Sequence, residues 1–170
     1  MKALLFDLDG TLVKIGFVSS VSHRHYLKLT AALLFRVLPR FCRTAFIALL
    51  NVIEGAYLPS SLFNKELLAL MKKEKKKGTK IGIVSSNTHK TVLACMNKAG
   101  LKKSFFDVIV AVDETLFLKP DPESLNKALK KLGVKARNAV YYGDHWVDEA
   151  AAKAAGTSFV HVNRVKWRKP

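Results

Sequence analysis

Acid is what this chain has little of. Of its 170 residues 13 are Asp or Glu, against 29 Lys or Arg, a net charge of +16. Such an excess favours anionic partners, whether phosphate-bearing metabolites, nucleic acid or acidic lipid, without choosing among them. Cysteine is scarcer still. Cys42 and Cys95 have no metal-ligand spacing, which argues against a metal-binding cysteine motif and for reduced, largely buried thiols in a cytoplasmic protein. Long apolar runs are missing too. The most apolar stretch, 27–53, is interrupted by Lys28, Arg36, Arg40 and Arg43. Its longest uncharged run, 44–53, falls well short of the ~20 residues that a membrane-spanning helix needs. The first residues lack the basic segment, apolar core and cleavage site of a signal peptide, so none is expected. No internal repeat is visible, and the one low-complexity run is 72–77.

What is present suits one domain with a modest insertion: 170 residues, 49% of them apolar, enough for a core. Near the start, residues 4–12 read Leu-Leu-Phe-Asp-Leu-Asp-Gly-Thr-Leu. An apolar run thus delivers Asp7 and Asp9, two apart, which strand geometry would turn to one side. Two carboxylates held that close repel unless a cation joins them or one takes a proton. Further along, apolar spacing predicts helices over 26–38, 40–56 and from Ser60 or Ser61 to 77, then a strand over 80–85 and a helix over 89–98. A strand over 106–112, a helix over 121–132, a strand over 139–142, a helix over 148–155 and a strand over 158–162 complete the pattern. Strands alternating with helices predict a parallel, doubly wound sheet, in which ligands bind beyond the carboxyl ends of the strands. The residues at those ends are Asp7 and Asp9; Ser85, Ser86 and Asn87; Lys119 after a longer loop; and Gly143 and Asp144.

Together these segments resemble the haloacid dehalogenase-like hydrolase superfamily. Asp7, Leu8, Asp9, Gly10 and Thr11 are similar to its first motif, and Ile83 to Asn87, a strand ending in serine, to its second. Lys119, Pro120, Asp121 and Pro122 resemble the third motif, and Gly143, Asp144, His145, Trp146, Val147 and Asp148 the fourth. The resemblance covers residues 1–12 and roughly 61–163. It implies a Rossmann-like α/β core, 1–13 and 61–170, whose mainly parallel sheet has helices on both faces, and a small helical cap at 14–60. It also implies a Mg²⁺-dependent phosphatase. Asp7 would attack phosphorus and form an aspartyl-phosphate, with Asp9 as general acid and base. The metal would be held by the carboxylates of Asp7 and Asp144, by the backbone carbonyl of Asp9, and by Asp148 directly or through water. Ser85 and Lys119 would neutralise the transferring phosphoryl oxygens, and Gly10, Thr11, Ser86 and Asn87 are the further candidates for phosphate contact. For the hydroxyl, Ser85 is favoured over Ser86. The name-giving dehalogenases generally lack the second aspartate; its presence as Asp9 favours phosphoryl transfer.

The cap is basic, with Lys14, Arg24, Lys28, Arg36, Arg40 and Arg43 against Glu54. Relatives of the phosphoglycolate-phosphatase type often carry an acid where this chain has Lys14, a departure that weakens any transfer of their substrate to this chain. A small phosphorylated metabolite is the expected partner. The apolar content of 27–53 leaves open a homodimer through the cap, or peripheral contact with acidic lipid. The basic run 72–77 and the basic tail around Trp167 make nucleic acid a lesser reading. Rival functions are a phosphomutase with the same residues, and a polyanion-binding or membrane-surface protein.

Overall fold

β1 (Ala3–Phe6) is the strand around which the molecule is built. Ala3, Leu5 and Phe6 are fully buried, as a strand covered on both faces requires. In the computed structural model, which describes residues 2–14 and 62–162 and five isolated helical positions (37, 42, 45, 47 and 48), β1 lies at the middle of a parallel sheet. Its neighbours are β4 (Lys80–Val84) and β6 (Ala139–Gly143), with β5 (Val108–Val110) and β7 (Ser158–His161) outermost. The order is β5-β4-β1-β6-β7, all neighbours parallel. The chain therefore winds outward from β1 through β4 to β5, then returns to the other side of β1. The carboxyl ends of β1 and β6 flank the point where the winding reverses, the usual ligand crevice of such a sheet.

Helices cover both faces. On one, α1 (Lys65–Lys76) and α2 (His89–Lys98) lay Leu68, Met71, Val92, Cys95 and Met96 against Phe6, Ile81 and Ile83. On the other, α3 (Glu123–Leu132) and α4 (Trp146–Ala155) bring Leu125, Ala128, Leu129, Ala151 and Ala152 onto Leu5, Val110 and Tyr141. Each fully buried Leu, Ile or Met stabilises by roughly 1.5–3 kcal/mol over leaving it in water. This is the doubly wound α/β fold expected from the alternation of strands and helices.

Between β1 and β4 the chain makes its excursion. It departs along β2 (Val13–Lys14) and returns along β3 (Leu62–Phe63), which pair antiparallel, Val13 opposite Phe63 and Lys14 opposite Leu62. The two ends of the excursion are thus held together. The expected cap helices 26–38 and 40–56, most of the expected cap domain 14–60 and the tail from 163 lie outside the described residues, and with them the cap-mediated dimer.

Local chemistry moves several boundaries. α1 starts later than Ser60 or Ser61: β3 occupies 62–63, and the side-chain oxygen of Asn64 accepts from the Leu67 amide at 3.1 Å. Asn64 Nδ2 also donates to the Thr11 carbonyl at 3.2 Å, tying the helix start to the turn after β1. β5 is shorter than 106–112, because the chain coils into a tight turn at 112–114. α4 starts at 146 instead of 148. His145 caps it, and the Asp148 carboxylate reaches back to the His145 amide at 3.2 Å. Among the described residues no helix is long and apolar enough to cross a membrane.

Candidate active site

Asp7 is the first residue beyond β1. Its amide donates to the Tyr142 carbonyl at 2.9 Å, and below it the Phe6 and Tyr142 rings stack at 4.8 Å, so β1 and β6 stay registered up to the carboxylate. The chain then folds sharply. The Leu8 carbonyl accepts from the amides of Thr11, Leu12 and Val13, and the Gly10 amide donates to the Val13 carbonyl at 2.7 Å. Gly10 has φ +88°, in the left-handed region. A Cβ there would also stand 2.1 Å from Asp144 Oδ2, so only glycine lets the Asp144 carboxylate rest against this turn. Gly143 does likewise for Asp148, whose Cβ would be 2.5 Å from a Cβ at 143.

Three carboxylates converge as a result. Oxygens of Asp7, Asp144 and Asp148 lie within 4.8 Å of one another. Into this group comes Lys119, 6% exposed, from the loop between β5 and α3. Its Nζ donates to Asp7 Oδ1 at 2.7 Å, to Asp148 Oδ1 at 2.5 Å and to the Tyr141 hydroxyl at 2.8 Å. Burial by itself would lower the lysine pKa. The adjacent Asp148 and Asp7 carboxylates outweigh it and hold that pKa well above its ordinary value, so Lys119 is an ammonium. Tyr141 moves upward too, first through burial and then through the Asp148 charge, and remains a phenol. Among the described residues three acids meet one base here. A hard divalent cation with oxygen ligands fits that donor set.

The other candidates fall around this centre. Ser85, buried at the end of β4, donates its amide to the Val110 carbonyl at 2.9 Å, and its Oγ accepts from the Asn87 amide at 3.1 Å. Ser86 and Asn87 are half-buried, and the Asn87 carbonyl accepts from the Val112 amide, joining the segments that follow β4 and β5. Asp9 is half-buried in the turn, and its carboxylate is not one of the three that converge. The amides of Gly10 and Thr11 close the turn, and Thr11 is fully buried beneath it. Tyr141 was absent from the sequence-derived set: a large apolar ring inside a strand reads as core, and it is core up to its hydroxyl. His145, the residue after Asp144, is the cap of α4.

Residues 62–162 match the sequence model of the haloacid dehalogenase-like hydrolase family. A pyrophosphatase PpaX from Bacillus cereus is 41% identical over 93 residues, a match that spans 52% of this chain but only 41% of that protein. Its counterpart from Bacillus mycoides is 31% identical over 186 residues, covering 96% of this chain and 84% of the relative. Among solved structures, a protein from Bacteroides fragilis described as a haloacid dehalogenase-like hydrolase superposes with a TM-score of 0.75 at 26% identity, over 94% of this chain and 86% of the other. CbbY from Rhodobacter sphaeroides, solved in complex with phosphate, shares the fold with a TM-score of 0.69 at 23% identity, over 94% of this chain and 84% of its own.

Proposed function

Because this chain belongs to the haloacid dehalogenase-like hydrolase family, we propose that it is a Mg²⁺-dependent phosphatase acting through an aspartyl-phosphate on Asp7. The observation that carries this is the buried Lys119 ammonium, 2.7 Å from the carboxylate that would attack. In the first step a carboxylate oxygen of Asp7 forms a bond to phosphorus as the ester oxygen departs, and Asp9 gives that oxygen a proton. In the second, Asp9 takes a proton from water as the water oxygen bonds to phosphorus. The Asp7–phosphorus bond breaks, and carboxylate and inorganic phosphate are released. Lys119 and Ser85 offset charge on the phosphoryl oxygens, a large effect in a water-poor site. Mg²⁺, held by the carboxylates of Asp7 and Asp144 and the backbone carbonyl of Asp9, would supply further charge neutralisation when bound.

The geometry supports a second role for Asp148 over direct ligation. Its Oδ1 accepts from Lys119, and its Oδ2 from the His145 amide, so it anchors the lysine and the start of α4. The substrate is read as a small phosphorylated metabolite; the name of the PpaX relatives makes inorganic pyrophosphate the first compound to try. Neither Cys42 nor Cys95 is in a disulfide, which agrees with the reduced, cytoplasmic setting read in the sequence.

The test is turnover of pyrophosphate, an aryl phosphate and a panel of sugar phosphates with Mg²⁺. Loss of about 10³-fold or more in kcat/KM is expected for Asp7→Asn. Equal rates for wild type and Asp7→Asn would sink the proposal. Return of phosphate to a second hydroxyl of the same compound, instead of release to water, would identify a phosphomutase.

A further inference from the structure

Tyr141 has a hydroxyl where packing needs none. The ring lies in β6, fully buried among apolar side chains that include Leu5, Val84 and Leu125. A phenylalanine would fill that space equally well, and burying a hydroxyl costs stability unless it is hydrogen-bonded. Here the oxygen accepts from Lys119 Nζ at 2.8 Å and stands 3.1 Å from Asp148 Oδ1 and 3.2 Å from the Val84 carbonyl. One atom therefore touches the loop that carries Lys119, the helix that carries Asp148 and the last residue of β4, which Ser85 follows.

We propose that Tyr141 is a positioning residue: its hydroxyl holds the Lys119 ammonium in place between Asp7 and Asp148 and ties it to the end of β4. As a contribution to catalysis this rests on the phosphatase reading above. An ammonium has three N–H bonds, and three acceptors meet Lys119, namely Asp7 Oδ1, Asp148 Oδ1 and the Tyr141 oxygen. Three fixed acceptors define both where the ammonium sits and how it is turned. Two carboxylates alone would leave it free to follow the stronger pull. The distinction matters when Asp7 attacks. Its charge then passes into a covalent bond, the Asp7 hold on Lys119 weakens, and negative charge grows on the phosphoryl oxygens. With Asp148 and Tyr141 still gripping, the released N–H points toward those oxygens. Without the hydroxyl, the lysine relaxes onto Asp148, away from the reacting group.

Tyr141→Phe keeps the ring and removes the hydroxyl. Tyr142→Phe is the control, because Tyr142 is half-buried, stacks on Phe6 and is no part of the lysine cluster. For Tyr141→Phe we expect kcat to fall about tenfold while KM changes less than about twofold, the signature of an interaction made mainly in the transition state. Tyr142→Phe should match wild type. Tyr141→His, which restores a hydrogen-bonding group, should recover part of the loss. A kcat for Tyr141→Phe within about twofold of wild type overturns the idea, as does an equal loss in Tyr142→Phe. If Tyr141→Phe fails to fold, Tyr141→His decides: folded with measurable kcat it supports the proposal, and unfolded it overturns it by assigning the hydroxyl to stability alone. A turnover-free readout is the ¹⁵N ammonium signal of Lys119, identified by its loss in Lys119→Met. It should be protected from exchange in wild type and broadened in Tyr141→Phe. A wild type without phosphatase activity would defeat the functional reading, and this signal would still decide the positioning role; an unchanged signal in Tyr141→Phe refutes it.

Discussion

At the scale of single residues, the site depends on contacts that tolerate almost no change. Lys119→Met would leave the buried Asp7 and Asp148 carboxylates without their shared ammonium. Breaking a buried pair in this way costs about 3–5 kcal/mol, so a large drop in urea midpoint together with loss of turnover is expected. Mg²⁺ should restore part of that stability if it binds the same carboxylates, measured as a rise in melting temperature on titration. Gly10→Ala meets two obstacles at once, a positive φ and a Cβ driven into the Asp144 carboxylate. We expect it to weaken Mg²⁺ binding more than tenfold by calorimetry while β1 and its core contacts persist; unchanged affinity would show that Asp144 can move aside.

The elements matter through how their ends are pinned. Asp107, just before β5, receives Lys75 from α1 at 2.5 Å, Lys80 from the start of β4 at 3.1 Å and the Ile81 amide at 2.8 Å. Burial opposes its ionisation, but those three donors prevail and hold the carboxyl below its ordinary pKa. A group whose pKa is lowered by folding adds stability above its unfolded value, near 3.9, and loses it as pH falls through the folded value. Asp107→Asn should therefore cost about 1 kcal/mol at pH 7, the lysines being partly exposed and screened. In urea titrations the gap from wild type should close below about pH 4. The loop that delivers Lys119 is pinned differently. Glu123 on α3 accepts from the amides of Leu116 and Phe117 at 2.8 and 2.7 Å, while Glu114 meets His89 and Lys131. Removing the Glu123 carboxylate in Glu123→Ala should expose 114–118 to protease and lower kcat several-fold, with the melting temperature little changed.

Across the whole molecule, charge is unevenly divided. Residues 62–110 hold 11 lysines against three acids, whereas 111–162 hold seven basic residues and seven acidic ones. The first stretch supplies α1 and α2, the second α3 and α4, so the two faces of the sheet differ in charge. Exposed Lys72, Lys73, Lys76, Lys102 and Lys103 lie on the basic side. Turning Lys72, Lys73 and Lys76 to Glu should lower the salt needed to elute the protein from a polyanionic column more than the same change at Lys130, Lys135 and Arg137. Equal shifts would show that net charge alone governs adsorption.

By itself the sequence determined the parallel sheet and the ends of its strands, because β1, β4 and β6 are apolar runs stopped by polar residues. Asp7, Ser85 and Asp144 were legible for that reason, and Lys119 by its place before a proline-rich turn. The two-residue strands β2 and β3 were not, since a pair of residues has no period to read. Nor was the start of α1, which depends on Asn64 finding the Thr11 carbonyl 53 positions earlier. Tertiary structure alone decided which acids share the lysine. Asp7, Asp148 and the Tyr141 hydroxyl come from separate segments, and only the packing of β6 between β1 and β7, with α4 laid back across it, brings them onto one ammonium. Spacing along a chain says which side of a strand a carboxylate faces; the distance to a partner more than a hundred residues away is set by the fold.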